Sequence, residues 1–196
     1  GLRVGLTKVA AELALGVSPP QIDALLRYLS LLQRWNGVYN LTSVREPDQM
    51  LTLHLADCLA LVGPLRKWLG PRSGTRLLDV GSGAGLPGVV IAALNPSITV
   101  TCVEAVGKKA AFVRQIAGEL VLSNLRSEHS RVERLSTPPF DVITSRAFAS
   151  LADFVDLTRQ HLAPGGAWLA MKGKRPDEEL AALPDDVELF HVEQLI

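Results

Sequence analysis

Two acidic residues and a row of glycines form the densest chemical pattern in this chain. Asp79 sits in the apolar run Leu77-Leu78-Asp79-Val80, which reads as a short buried strand. Gly81, Gly83 and Gly85 follow as a turn, and Pro87 stands where the next helix would have its first residue. Glu104 ends the next predicted strand, about 20 residues beyond the turn, the separation expected of a carboxylate that holds a ribose. Glycines let a backbone turn sharply and approach a ligand, and the free N–H groups of the following helix face it. The plain alternative is a strand, turn and helix whose glycines serve only packing. Three glycines, a strand-end acid and a spaced glutamate together favour a nucleoside-bearing ligand.

The pattern departs from the dinucleotide fingerprint, because Leu86 fills the third glycine position and Gly85 arrives one residue early. Asp79 also adds negative charge where a pyrophosphate would lie. A carboxylate there suits an ammonium or sulfonium centre. The stretch Asp79 to Gly88 resembles the first motif of the Rossmann-like S-adenosylmethionine-dependent methyltransferases, which places S-adenosylmethionine ahead of NAD.

Alternating strands and helices must position these residues. The patterning predicts strands over Arg76–Val80, Thr99–Glu104, Leu125–Glu128, Phe140–Ser145, Ala167–Lys172 and Val187–Leu195. Helices are expected near Gly88–Leu94, Lys108–Leu120, Leu151–His161 and Asp177–Leu183, with Pro164-Gly165-Gly166 a tight turn before the fifth strand. Such alternation implies an α/β fold: a parallel, Rossmann-like sheet with helices on both faces. Ligands of such sheets lie beyond the carboxyl ends of the strands. The candidates there are Asp79, Glu104, Ser130 to Glu133, Ser145-Arg146 and Lys172.

A small helical subdomain is expected over residues 1–70, joined by the turn-rich Gly70 to Gly74 to a cofactor-binding domain over 71–196. Its first helix spans Leu2 to Leu15. Its second starts at Ser18-Pro19-Pro20, a capping hydroxyl followed by proline, and carries an apolar stripe to about Asn36, with Gly37 as its stop. The segment Trp35 to Arg45 mixes two aromatics, two asparagines, hydroxyls and an arginine. It reads either as a helix-ending loop whose polar groups satisfy backbone, or as a surface that meets a substrate. A third helix from near Pro47 sets His54 and Asp57 three residues apart on one face. Without a placed nucleophile, that pair reads as a structural hydrogen bond ahead of a catalytic dyad.

Lys+Arg and Asp+Glu both number 20, which argues against recognition of nucleic acid by bulk charge and leaves only a local patch. The hydrophobic fraction of 47% is well spread, with no run that could span a bilayer. The two cysteines, Cys58 and Cys102, are far apart and Cys102 falls in a buried strand, so reduced thiols and a cytoplasmic protein are expected. No secretory signal is visible at the start, and no metal site is expected.

Six segments together resemble the bacterial small-subunit ribosomal RNA guanine-N7 methyltransferases, also called the glucose-inhibited division protein B family. They are Trp35 to Arg45, His54 to Cys58, Asp79 to Gly88, Ser130 to Glu133, Phe140 to Leu151 and Met171 to Gly173, in the family's order over most of the chain. The Asn-Leu-Thr-Ser and Ser-Arg-Ala-Phe-Ala-Ser pieces are far more specific than the glycine turn. The resemblance implies S-adenosylmethionine as methyl donor, S-adenosylhomocysteine as product, and 16S ribosomal RNA or the small subunit as partner, at the guanine-527 site. It places cofactor contacts on Gly81, Leu86, Val132, Glu133 and Arg146, beside Asp79, Gly83, Gly85 and Glu104 from the turn itself. Family members continue into a seventh strand, so the outer sheet edge is expected to lack one strand. A monomer is expected.

The chemistry that is missing agrees. An exocyclic amine acceptor would call for Asn/Asp-Pro-Pro-aromatic after the fourth strand, yet Thr137-Pro138-Pro139-Phe140 precedes that strand and lacks the acid or amide. A pyrimidine C5 acceptor would need a nucleophilic cysteine beside the site. Guanine N7 has a free lone pair and no proton, so alignment alone can carry its transfer. Arg146 and Lys172, which end buried strands, are the catalytic candidates. RNA contacts are expected from Arg45, Tyr39, Lys108, Lys109, Arg131 and Lys174, with Trp35 and Phe148 as further stacking candidates. An NAD-dependent oxidoreductase and a non-catalytic RNA-binding module are the alternatives.

Overall fold

The computed structural model describes residues 1–42, 49, 54–146, 148, 150–172, 181, 183 and 189–194, with Lys172 and 189–194 given as backbone only. The helices are α1 (Leu2–Glu12), α2 (Pro19–Tyr39), α3 (Ala56–Leu69), α4 (Gly88–Leu94), α5 (Gly107–Glu119) and α6 (Leu151–Thr158). The strands are β1 (Arg76–Val80), β2 (Thr99–Glu104), β3 (Leu125–His129), β4 (Phe140–Ser145), β5 (Leu162–Lys172) and β6 (Leu189–Gln194). They pair in the order β3-β2-β1-β4-β5-β6, parallel throughout. The order reverses between β1 and β4, and the crevice above that reversal is where such a sheet receives a ligand.

Strand alternation divides the core in two. Leu77, Val100, Cys102, Leu125 and Val142 face the helices that precede and follow β1, in a cluster that runs without a break into Leu25, Leu32, Leu59 and Val62 of α2 and α3. Leu78, Val80, Val103, Ile143 and Trp168 face the other way, onto Phe154 and Val155 of α6. Helices on both sheet faces follow directly from these period-two strands.

Ser18 caps α2 as expected, its hydroxyl accepting from the Gln21 N–H while the Gln21 side chain accepts from the Ser18 N–H. Gly37 does not stop that helix. It lies in regular helix, and α2 ends at Tyr39, where Asn40 takes a left-handed conformation with φ 51°. Asparagine tolerates that region, so the terminator is the amide and not the glycine. Pro164-Gly165-Gly166 is likewise no separate turn: β5 already begins at Leu162 and carries an irregularity against β4. A side chain at Gly166 would lie 2.8 Å from the Asp141 carbonyl oxygen, so glycine is what lets the backbones approach. The helix begun at Leu151 changes at Thr158 into a 3₁₀ turn over Arg159–His161. Thr158 Oγ1 donates to the Phe154 carbonyl and accepts from Trp168 Nε1. Helix α1 closes at Glu12, short of Leu15. The expected helix at Asp177–Leu183, and the expected start of α3 near Pro47, lie outside the described residues.

Candidate functional site

The turn after β1 is held by four hydrogen bonds from three elements. Gly81 and Gly83 adopt φ of +63° and +58°, open to glycine without strain. The Gly81 N–H donates to the Val103 carbonyl (2.9 Å), and the Gly83 N–H donates to Glu104 Oε2 (2.9 Å). From β4, Ser145 Oγ donates to the Val80 carbonyl (2.8 Å). From α2, the buried Tyr28 hydroxyl donates to the Ala84 carbonyl (2.8 Å).

Asp79 is fully buried (0% exposed) and lies behind the turn. Its Oδ2 accepts from the Gly88 N–H at 2.8 Å, while no partner reaches Oδ1. Burial pushes its carboxyl up to about 7, against the opposing pull of the Gly88 hydrogen bond and the Arg146 guanidinium. Gly88 shows why the helix sits so close: a Cβ there would lie 2.4 Å from Cys102 Sγ and 2.9 Å from Asp79 Oδ2. Gly88 thus takes the close-packing role that the dinucleotide fingerprint gives its third glycine. Gly85 is also a packing glycine, since a Cβ would meet Val89 at 2.6 Å.

Two cavities open beyond the strand tips and meet at Gly81. The first, about 240 Å³, is lined by Gly81, Glu104, Val132 and Glu133, with apolar walls from Val103 and Phe148. Glu104 (8% exposed) also accepts from the Val106 N–H through Oε1 at 3.1 Å, so both its oxygens are fixed before any ligand arrives. His161 Nε2 donates to the Val132 carbonyl (2.6 Å) and anchors the turn that supplies Val132 and Glu133. The second cavity, about 270 Å³, is lined by Gly81, Leu86, Leu41, Thr42, His54 and Arg146.

Of the residues expected from sequence, Gly81, Glu104, Val132, Glu133 and Arg131 meet on the first cavity, and Gly81, Leu86 and Arg146 on the second. Asp79, Gly83 and Gly85 line neither; they shape the turn from behind. Tyr39 is 44% exposed at the end of α2 and stacks on Trp35 at 5.2 Å, while Trp35 packs on Phe112 at 5.4 Å. Lys108 and Lys109 lie in the first turn of α5, next to the Val106 that Glu104 holds, and off both cavities. Lys172 ends β5, with its side chain outside the described residues; Arg45 and Lys174 lie outside them entirely. Asp79 and Glu104 share a sheet face, because Asp79 pairs with Cys102 two residues before Glu104.

Sequence reading missed Tyr28, and it gave Thr42 and Gly88 no role apart from the segments that contain them. Tyr28 is one more apolar position on the α2 stripe, and only its hydroxyl could have marked it. His54 was singled out, but for Asp57. In the fold its ring nitrogens face Thr42 Oγ1 (3.3 Å) and Arg146 (3.5 Å). Cys58 and Cys102 are free and buried, and burial pushes the Cys58 thiol up to about 12, so neither is a ready nucleophile. Among the described residues, no cluster of His, Cys, Asp or Glu could hold a metal, and no helix is long and apolar enough to cross a membrane.

Comparison with known proteins adds a family. A family model described as GidB, rRNA small subunit methyltransferase G, matches residues 21–196. The ribosomal RNA small subunit methyltransferase G of Leptothrix cholodnii is 58% identical over 191 residues, covering 96% of this chain and 87% of the relative. That of Methylibium petroleiphilum is 57% identical over 194 residues, covering 99% and 87%. Among solved structures, an S-adenosylmethionine-dependent methyltransferase from Geobacter sulfurreducens in complex with S-adenosylhomocysteine superposes with a TM-score of 0.51 at 19% identity. That match covers 72% of this chain and 54% of the other, and it bears on the fold alone.

Proposed function

The chain belongs to the rRNA small subunit methyltransferase G family, and from that premise we propose that it transfers a methyl group from S-adenosylmethionine to N7 of a guanine in 16S ribosomal RNA, at the guanine-527 site. The observation that carries this reading is the meeting of two cavities at Gly81, one with a fixed carboxylate and apolar walls, the other with a guanidinium.

The first cavity fits the nucleoside of S-adenosylmethionine. Each Glu104 oxygen takes one backbone N–H and keeps a second lone pair, the acceptors that a ribose diol requires. Val103, Val132 and Phe148 give a flat base apolar surface, and Gly81 lets a chain pass from one cavity to the next. When bound, the cofactor supplies an electrophilic methyl on a sulfonium and leaves as S-adenosylhomocysteine. Arg146, which can only donate, faces the second cavity and suits the O6 acceptor beside N7 of guanine; adenine presents a donor there. N7 attacks with a lone pair and carries no proton, so no residue has to act as a base. Catalysis rests on alignment, an effect worth about 7–11 kcal/mol when geometry is well set. Lys172 at the end of β5 is assigned the same side of the site. Arg131 on the rim, Lys108, Lys109 and Tyr39 supply phosphate and stacking contacts, with Arg45 and Lys174 added from outside the described residues. The protein acts as a monomer in the cytoplasm, where its substrate is assembled.

The test is transfer of labelled methyl from S-adenosylmethionine to small ribosomal subunits purified from cells lacking this protein. Label is expected on one guanine, with strand cleavage by aniline after borohydride reduction, as N7-methylguanine gives. Label on an exocyclic amine, or cofactor binding without transfer to any ribosomal substrate, would overturn the reading.

A further inference from the structure

We propose that His54 is a positioning residue of this site: as one neutral tautomer bridging Thr42 and Arg146, it holds the guanidinium on the wall of the second cavity. The inference rests on the function proposed above.

The guanidinium of Arg146 offers only donors, so the His54 nitrogen that faces it, Nδ1 at 3.5 Å, must present a lone pair. The proton then sits on Nε2, which faces Thr42 Oγ1 at 3.3 Å. Thr42 is itself placed, its backbone N–H donating at 2.8 Å to Oδ1 of Asn36, a buried residue in the last turns of α2. A chain of polar contacts therefore runs from Asn36 through Thr42 and His54 to Arg146. It links the end of α2 to the entry of α3 and to the residue after β4. His54 and Arg146 are 92 residues apart in sequence and both line the cavity that contains Gly81.

The choice of residue has a physical logic. A carboxylate at position 54 would hold Arg146 as well, but would neutralise the charge that faces the cavity. A lysine would repel it. A neutral imidazole orients the guanidinium and leaves its charge for the substrate. His54 thus acts through Arg146 and not on the reacting atoms.

The experiment measures steady-state methyl transfer to small ribosomal subunits lacking the modification. It compares the wild-type protein with His54→Ala, His54→Asn, Thr42→Val, Arg146→Ala and the His54→Ala/Arg146→Ala double variant. An ångström of misplacement can cost about 100-fold, so His54→Ala is expected to lower kcat by roughly 10- to 100-fold. The KM for S-adenosylmethionine should change less than about 3-fold, since the contacts expected from Gly81, Leu86, Glu104, Val132 and Glu133 stay in place and only Arg146 shifts. Asparagine puts Oδ1 where Nδ1 was, so His54→Asn should recover most of the loss. In the Arg146→Ala background, His54→Ala should cost nothing further. Should His54→Ala fail to fold, Thr42→Val carries the test, with a smaller drop that also vanishes without Arg146. Full activity in the alanine variant, no recovery by asparagine, or losses that multiply in the double variant would each overturn the proposal. A wild-type protein that transfers no methyl at all would sink the functional reading instead.

Discussion

At the scale of single residues, the least ordinary group is Asp79. It is a carboxylate with no solvent exposure and one oxygen without a partner, beside Thr144 of the neighbouring strand, whose hydroxyl also has none. Burial raises its folded-state value to about 7, above the ordinary 3.8. The folded protein therefore holds this proton more tightly than the unfolded chain. The resulting stabilisation is fully present below about pH 4 and is lost as pH rises through about 7, by at most roughly 4 kcal/mol. Asp79→Asn keeps an acceptor for the Gly88 N–H and removes the titration. It should flatten the fall in urea midpoint between pH 5 and pH 8, and an unchanged slope would show that another group titrates there. Asp79 was legible in sequence as a strand-end acid. Its direction was not, because an isolated strand does not say which helix will close over it.

Between elements, the decisive contact is Tyr28 of α2 on the turn between β1 and α4. The tyrosine is buried, and its hydroxyl meets the Ala84 carbonyl at 2.8 Å across 56 residues of sequence. Tyr28→Phe keeps the packing on Phe112 and leaves that carbonyl without its donor. The expected loss is about 1–3 kcal/mol of stability. The turn loosens with it, so S-adenosylhomocysteine should bind roughly 3- to 10-fold more weakly in calorimetry while secondary structure is retained. An unaltered affinity would mean the turn is held well enough by Glu104 and Val103. The glycines of this turn were readable from sequence, and so was its carboxylate partner at the end of β2. The distinction between lining glycines and packing glycines was not. Gly81 borders both cavities, whereas Gly85 and Gly88 are small because Val89 and Cys102 stand where their side chains would go.

Over the whole molecule, the helical segment and the sheet are tied by Arg66. Its guanidinium donates to the Leu15 carbonyl (2.7 Å), the Leu94 carbonyl (2.9 Å) and Asn95 Oδ1 (2.8 Å). One side chain thereby joins α3, the connection between α1 and α2, and the end of α4. Arg66→Met keeps part of the aliphatic stem and strips three acceptors of their donor, so it should destabilise by about 2–4 kcal/mol. Unfolding should still register as one transition, with far-ultraviolet dichroism and tryptophan fluorescence coinciding. Trp35 and Trp68 report on the helices and Trp168 on the sheet. Two separated transitions would show that residues 1–70 and 71–196 unfold as independent bodies.

The sequence alone determined the parallel sheet, the glycine turn and the strand ends at which ligands gather. Those features follow from period-two burial and from backbone angles that few residues tolerate, and both are local. Only the tertiary structure decided that His54 comes to lie beside Thr42 and Arg146, that Tyr28 reaches Ala84, and that Asp79 turns behind the site. Each of these depends on elements far apart in the chain coming to rest at one angle and distance, which packing sets and no neighbouring residue records.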